Sequence, residues 1–220
     1  MSITDDQIAA EDAWLTAWRD GPQRLRWDRI PLQVGDAAPD LTLLSSAGDE
    51  VRLSSLWATG PAVLLFWRHF GCSCGIDRAA RLRAECQSFV DAGASVVIIG
   101  QGGPARAAAY AKRNDIPCPI LCDPEQLSYR AFDLLEGTTA QILFDAPDEF
   151  LRCELGAGES LAASRHDTDR ALVDNPWQLP GEFVIGRGGT VSLAYRYQFC
   201  EDFPDPRVLL AAIRFGAHAP

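Results

Sequence analysis

The sequence has no apolar run near the ~18 residues that a membrane-crossing helix needs; the longest are Ala62–Trp67 and Ser95–Ile99. It has no excess of positive charge. Twenty Lys and Arg against thirty Asp and Glu leave a net charge of −10, whereas phosphate recognition requires clustered cations. That balance excludes nucleic acid as a partner, and an anionic membrane surface with it. Met1-Ser-Ile-Thr-Asp-Asp6 lacks the basic-then-apolar order of a secretion signal, so the cytoplasm is the expected compartment. No repeat, low-complexity tract or dividing linker interrupts the 220 residues. A single domain of this size buries about 70% of its unfolded surface and needs no disulfide to fold.

What the sequence does have is cysteine: seven, an odd number. In a reducing compartment cysteines are catalytic, metal-ligating or simply buried rather than structural cross-links. Which of the seven carry chemistry depends on where the elements place them.

Thr4-Asp-Asp-Gln7 has the form of a capping box and opens a helix to about Arg19, stopped at Gly21-Pro22. Ile8, Leu15 and Trp18 are expected on its apolar side, and Trp14, Trp18 and Trp27 read as packing anchors. Leu41–Leu44 and Val51–Leu53 flank a polar turn as a hairpin. Ala62–Trp67 is apolar on both faces, which predicts a central strand. A helix then runs from Gly71–Gly75 to about Asp91, with Ala79, Leu82, Cys86, Phe89 and Val90 on one face and Gly93 as its stop. Ser95–Ile99 is a second buried strand, and Pro104 opens a helix to about Arg113. Pro117–Asp123 predicts a short edge strand, because its prolines exclude a central one. Pro124–Leu134 and Pro147–Leu155 carry helical signals, and Gly156–Asn175 reads as loop. Glu182–Ile185 and Val191–Tyr197 bracket Gly186–Gly189 as a hairpin, and Pro206–Phe215 closes as a helix. The expected fold is α/β, a mixed sheet with helices on both faces.

Cys72 and Cys74 fall between the strongest strand and its following helix. A helix N-terminus favours an anion through its orphan N–H groups and its dipole, which lowers a thiol pKa. Arg68 and His69, just before, are candidates to add positive charge. At two-residue spacing the Cα atoms lie about 5.5–7 Å apart, within reach of a disulfide. So small a ring is expected to be strained and readily reduced.

Val34-Gly-Asp-Ala-Ala-Pro-Asp-Leu-Thr-Leu43, Val51-Arg-Leu-Ser-Ser-Leu56 and Val63-Leu-Leu-Phe-Trp67 followed by Cys72 resemble the opening of the thioredoxin-fold redoxins. Arg68-His-Phe-Gly-Cys72, Ala79-Ala-Arg-Leu82 and Cys122-Asp-Pro124 resemble the peroxiredoxin-like branch of the alkyl hydroperoxide reductase and thiol-specific antioxidant family. Gln178-Leu-Pro-Gly-Glu-Phe-Val-Ile185 is similar to that family's stretch before its penultimate strand. The resemblance implies a thioredoxin-like domain over 32–220, preceded by a helical extension over 1–31 and interrupted by an insertion at about 137–177. It implies Cys72 as the attacking cysteine. It also implies Pro180 as the proline that lies against the thiols, after a cis Leu179–Pro180 bond.

The chain departs from the pattern at three points. Peroxiredoxins proper carry Pro seven residues and Thr or Ser three residues before the attacking cysteine; here those positions are Leu65 and His69. The hydroxyl that would bind the peroxide is therefore absent. The usual second cysteine of a Cys-x-x-Cys pair would stand at Gly75, whereas here Cys74 comes one residue early. His69 is equally a base for Cys72 and a half-buried histidine satisfied by main chain. Arg130, Arg152 and Arg196 are candidates for the cation that peroxiredoxins place near the thiolate.

Cys86 reads as a core thiol, and Cys153 is isolated. Cys200 is a second candidate resolving thiol if its loop reaches the site, although a small buried residue is the commoner case. Cys74, Cys86, Cys118 and Cys122 approximate the spacing of thioredoxin-like [2Fe–2S] ferredoxins. His69, Cys72 and Cys74 form an alternative mononuclear set that lacks a fourth ligand in the sequence. The expected activity is that of a thiol-dependent oxidoreductase without cofactor. Cys72 reduces a peroxide or disulfide, Cys74 resolves it, and an external thiol, thioredoxin-like or of low molecular weight, restores the pair. The alternatives are a redoxin-fold binding protein without turnover and a metal or iron–sulfur protein. A homodimer is compatible with either class.

Overall fold

The computed structural model describes residues 5–143, 148–166 and 171–217. Seven strands form one sheet: β1 (Thr42–Ser45), β2 (Glu50–Arg52), β3 (Ala62–Phe66), β4 (Ser95–Gly100), β5 (Ile120–Cys122), β6 (Gly181–Ile185) and β7 (Val191–Arg196), in the order β2-β1-β5-β4-β3-β6-β7. β4 runs parallel to β3 and to β5, while β6 lies antiparallel to β3 and pairs with β7 across the expected hairpin.

β3 alternates between two cores. Val63 and Leu65 face Ala79, Leu82, Cys86 and Phe89 of α2 (Ser73–Asp91), Tyr110 of α3 (Pro104–Arg113), and Leu209 and Ile213 of α8 (Pro206–Ala217). Leu64 and Phe66 face Tyr129 of α4 (Leu127–Ala131), Phe132 and the 3-10 turn Leu53–Trp57. Covering on both sides explains the unbroken apolar run of this strand. Val90, expected on the inner face of α2, is instead 48% exposed.

Three expectations about the sheet and its short helices are corrected. β5 is not an edge strand: β1 adds to its outer side through Leu44–Cys122 and Ser45–Leu121. Pro117 and Pro119 both precede β5, so neither removes a ladder donor. α4 spans five residues rather than the whole of 124–134. Gln126 and Asp133 stand at φ 55° and 56°, outside helical geometry at each end. The Leu179–Pro180 bond is trans, since no cis peptide occurs among the described residues. Leu179 N–H and the Pro180 carbonyl are both taken up by main chain, at Leu135 and Tyr197.

The segment read as loop contains α7 (Leu155–His166), after α5 (Thr139–Ile142) and α6 (Asp148–Leu151). Its helix is supported by α1 (Asp5–Asp20). The face that α1 buries is Ala10, Trp14 and Trp18, at i, i+4 and i+8, and not the expected Ile8–Leu15–Trp18 set; Ile8 is exposed. Trp14 stacks on Trp18 at 5.2 Å and Trp18 on Trp177 at 5.0 Å. Ile142, Ala162, Leu172 and Leu179 complete this third core. Gly158 lets α7 approach: a Cβ there would meet the Trp18 ring at 2.5 Å. The extension and the insertion thus pack as one unit. The cap at Thr4 and the start at Pro147 lie outside the described residues.

Candidate active site

α2 begins directly after the loop that leaves β3, with Cys72 as its N-cap and Cys74 in its first turn. Cys72 and Cys74 form a disulfide with Cα atoms 5.4 Å apart. The Cys72 sulfur therefore sits where the helix dipole favours negative charge.

Gly71 and Gly75 explain the tightness of the loop. A Cβ on Gly71 would fall on the carbonyl of Ala171. One on Gly75 would lie 2.8 Å from the Tyr110 hydroxyl and 2.9 Å from Trp67 Nε1. Those two groups are hydrogen-bonded to each other at 2.8 Å behind the helix. Position 75 has no room for a side chain, which accounts for the displacement of the second cysteine to 74.

Arg68 is the cation beside the sulfurs. It is 4% exposed, and its Nη1 donates to Cys72 Sγ at 2.9 Å. Nε donates to the Gln178 carbonyl at 3.3 Å, and Nη2 to the Pro176 carbonyl. Burial lowers its pKa, with Cys200 acting in the opposite direction. Arg196 instead donates to the carbonyls of Leu32, Phe132 and Asp133. Arg130 is exposed, and Arg152 pairs with Glu154 at the surface. None of these three is bonded to Cys72 as Arg68 is.

His69 does not add charge to the site. It is 3% exposed, and burial, then Arg68 and Arg165, hold it well below its usual pKa, so it is neutral near pH 7. Its carbonyl accepts from Cys72 N–H at 3.1 Å, while its buried Nδ1 has no partner.

A small, half-open pocket lies beside Cys74. Arg68, Pro180, Glu182, Tyr197, Cys200 and Phe203 contribute to its wall. Pro180 shares this lining with Cys74, after a trans bond. Glu182 accepts from Arg78 at 2.7 Å and from the Tyr197 hydroxyl at 2.5 Å. Arg78 also reaches Glu85 at 2.9 Å. Burial pulls the Arg78 pKa down, but Glu182 and Glu85 bring it out above its ordinary value. Tyr197 is driven up by burial and by Glu182 and stays a phenol. This compensated network forms the pocket floor and was not legible as a site, since Arg78 and Glu182 are 104 residues apart.

The other cysteines divide into three groups, one of them Cys153 alone, packed against the tryptophan core. Cys200 packs with Cys72 and Cys74. Cys86 and Cys122 belong to the α2 side of the sheet with Cys118 against it, and burial raises these thiols, Cys118 to about 12 and Cys122 to about 11. The four cysteines of the ferredoxin-like spacing are thus split between separate clusters. Among the described residues no group of three or more His, Cys, Asp or Glu is disposed to hold a metal ion, and no helix is long and apolar enough to cross a membrane.

This mixed sheet, with a cysteine pair at the head of the helix that follows its central strand, defines a peroxiredoxin-like protein of the thioredoxin fold. The AhpC/TSA family matches residues 34–194, and the chain belongs to that family. It is 33% identical over 107 residues to the Thioredoxin-like protein AAED1, chloroplastic, of Arabidopsis thaliana, a match over 48% of this chain and less than half, 43%, of that protein's length. It is 24% identical over 164 residues to human Peroxiredoxin-like 2C, covering 73% of this chain and 71% of the other. Among solved structures it resembles Peroxidoxin BcpB from Mycobacterium tuberculosis, with a TM-score of 0.59, 20% identity, and 84% and 97% of the two chains covered.

Proposed function

We propose that this chain is a thiol-dependent oxidoreductase that reduces a peroxide or a disulfide through Cys72, with Cys74 as the resolving thiol. The observation that carries the reading is the Cys72–Cys74 pair at the N-terminus of α2, with the Arg68 guanidinium 2.9 Å from Cys72 Sγ. A positive group and a helix end both stabilise a thiolate over a thiol. Family membership supports a peroxide as substrate and a thioredoxin-like reductant as partner.

The Cys72 thiolate attacks one peroxide oxygen and the O–O bond breaks. The alcohol or water leaves with a proton, and a sulfenic acid remains. The Cys74 thiol displaces its hydroxyl as water and forms the disulfide. Two electrons have then passed from the two thiols to the peroxide. With a disulfide substrate, a mixed disulfide takes the place of the sulfenic acid. An external dithiol, or two monothiols, returns both cysteines to the reduced state, so the cycle needs no cofactor. Leu65 and His69 supply no hydroxyl for a peroxide, which favours testing both substrates side by side.

The test is a comparison of peroxide and disulfide reduction by wild type, Cys72→Ser and Cys74→Ser. Stoichiometric oxidation of the wild type should remove two hydrogens from the peptide holding both cysteines. Substrate turnover by Cys72→Ser at the wild-type rate would refute the reading. A Cys72 that resists alkylation when reduced would favour a redoxin-fold binding protein without turnover.

A further inference from the structure

We infer that Cys200 is a third redox thiol, which takes over the disulfide from the Cys72–Cys74 pair as a Cys74–Cys200 bond and frees Cys72. The inference rests on the thiol cycle proposed above and extends it by one step.

A cysteine that merely fills a core packs against aliphatic and aromatic side chains, as Cys86 does among Leu82 and Phe89. Cys200 has different surroundings. It is 5% exposed, and the buried cluster it belongs to consists of Cys72, Cys74 and itself. Cys74 and Cys200 stand in the wall of the same pocket as Arg68, which bonds Cys72 and whose charge acts on Cys200. The Cys200 thiol is directed to the Ile142 carbonyl at 3.5 Å.

Its loop is held in this place by the insertion. Thr138 and Gln141 form a capping box at the start of α5. The Gln141 carbonyl accepts from Cys200 N–H at 3.1 Å, and Gln141 Nε2 donates to the Gln198 carbonyl at 2.8 Å. On the other side Asp202 accepts from Gln198 N–H at 2.9 Å and from the Tyr195 hydroxyl at 2.9 Å. A loop clamped on both sides presents its one sulfur to two others.

The step balances without any added oxidant. The Cys200 thiol gives its proton to solvent through the pocket, and its sulfur attacks Cys74 Sγ. The Cys74–Cys72 bond breaks, the Cys74–Cys200 bond forms, and Cys72 leaves as a thiolate. Exchange favours the leaving sulfur that is better stabilised as an anion. Cys72 has Arg68 and the helix end, whereas burial raises the Cys200 thiol, against the opposing pull of Arg68. The oxidising equivalents move to a loop whose Phe199 is 40% exposed and whose Glu201 is exposed. A protein thiol that docks on these exposed neighbours reaches the buried bond as the loop gives way, and Cys72 is ready for the next substrate.

Trypsin leaves both site cysteines on peptide 69–78 and Cys200 on peptide 197–207. Oxidation of Cys72→Ser with one equivalent of diamide, followed by alkylation and mapping, should give these peptides joined. In the wild type, the thiol trapped by alkylation should be divided between Cys72 and Cys200. Cys200→Ser should be recycled by a protein dithiol about tenfold more slowly than the wild type. Peptide 69–78 oxidised within itself, never joined to 197–207 in Cys72→Ser, and recycled in Cys200→Ser at the wild-type rate would overturn the relay alone. Wild-type peptide 69–78 that neither loses two hydrogens nor becomes joined to 197–207 would overturn the underlying cycle as well.

Discussion

At the scale of single residues, Arg68 is the side chain on which the proposed chemistry turns. Its contact with Cys72 is accompanied by bonds to two main-chain carbonyls, so both its charge and its planar fork are used. Arg68→Met is expected to slow alkylation of reduced Cys72 at pH 7 about tenfold, with Arg68→Lys in between. His69 supplies a pH dependence of stability. It binds no proton in the folded state near neutrality, and its folded pKa lies well below 6.5. The unfolded chain therefore takes up the extra proton as pH falls through 6.5, and stability is lost in that direction. Between pH 6.5 and 5.5 the wild type should lose about 1 kcal/mol more than His69→Gln, read from urea midpoints at each pH. Gly75 makes the third case. Moving the second cysteine to the family's usual slot, as Cys74→Ala with Gly75→Cys, drives a sulfur into the Trp67–Tyr110 bond. A cost of about 1–3 kcal/mol is expected. The sequence alone displayed the glycine and the early cysteine but not their cause, because Tyr110 lies 43 residues from Trp67.

At the scale of elements, what was legible followed short-range signals. The two hairpins, the unbroken apolar run of β3, the proline at the start of α3 and the glycine stop of α2 are all local. What was missed depended on distant partners. β5 becomes internal only because β1 docks on it. α7 has no clear apolar stripe of its own and is fixed by Trp18 against Gly158 and by the Trp18 Nε1 bond to the Glu154 carbonyl at 3.3 Å. Cys200 is brought to the pair by α5, whose four residues are too few to show an apolar period. Trp18→Ala should cost about 3–5 kcal/mol, since it removes the middle ring of a three-ring stack. Chemical denaturation checks it, and a loss below about 1 kcal/mol would mean that α1 is only loosely attached.

At the scale of the whole molecule, the net charge of −10 and the local charge at the sulfurs have opposite signs. Arg68 is buried, and Arg78 is compensated by Glu182 and Glu85, so the acidic surface governs encounter at a distance. Reduction of the disulfide by an anionic thiol such as glutathione should therefore speed up between low salt and 0.2 M, while reduction by neutral mercaptoethanol stays flat. A glutathione rate that falls with salt would assign the encounter to the site arginine instead. One further consequence follows from the tryptophan stack. Trp177 lies between Pro176 and Gln178, whose carbonyls both receive Arg68, and its ring rests on Trp18. A change at the sulfurs that shifts the guanidinium pulls on an indole from both sides. Emission from that indole is expected to differ between the reduced and oxidised protein, and Trp177→Phe should remove the difference.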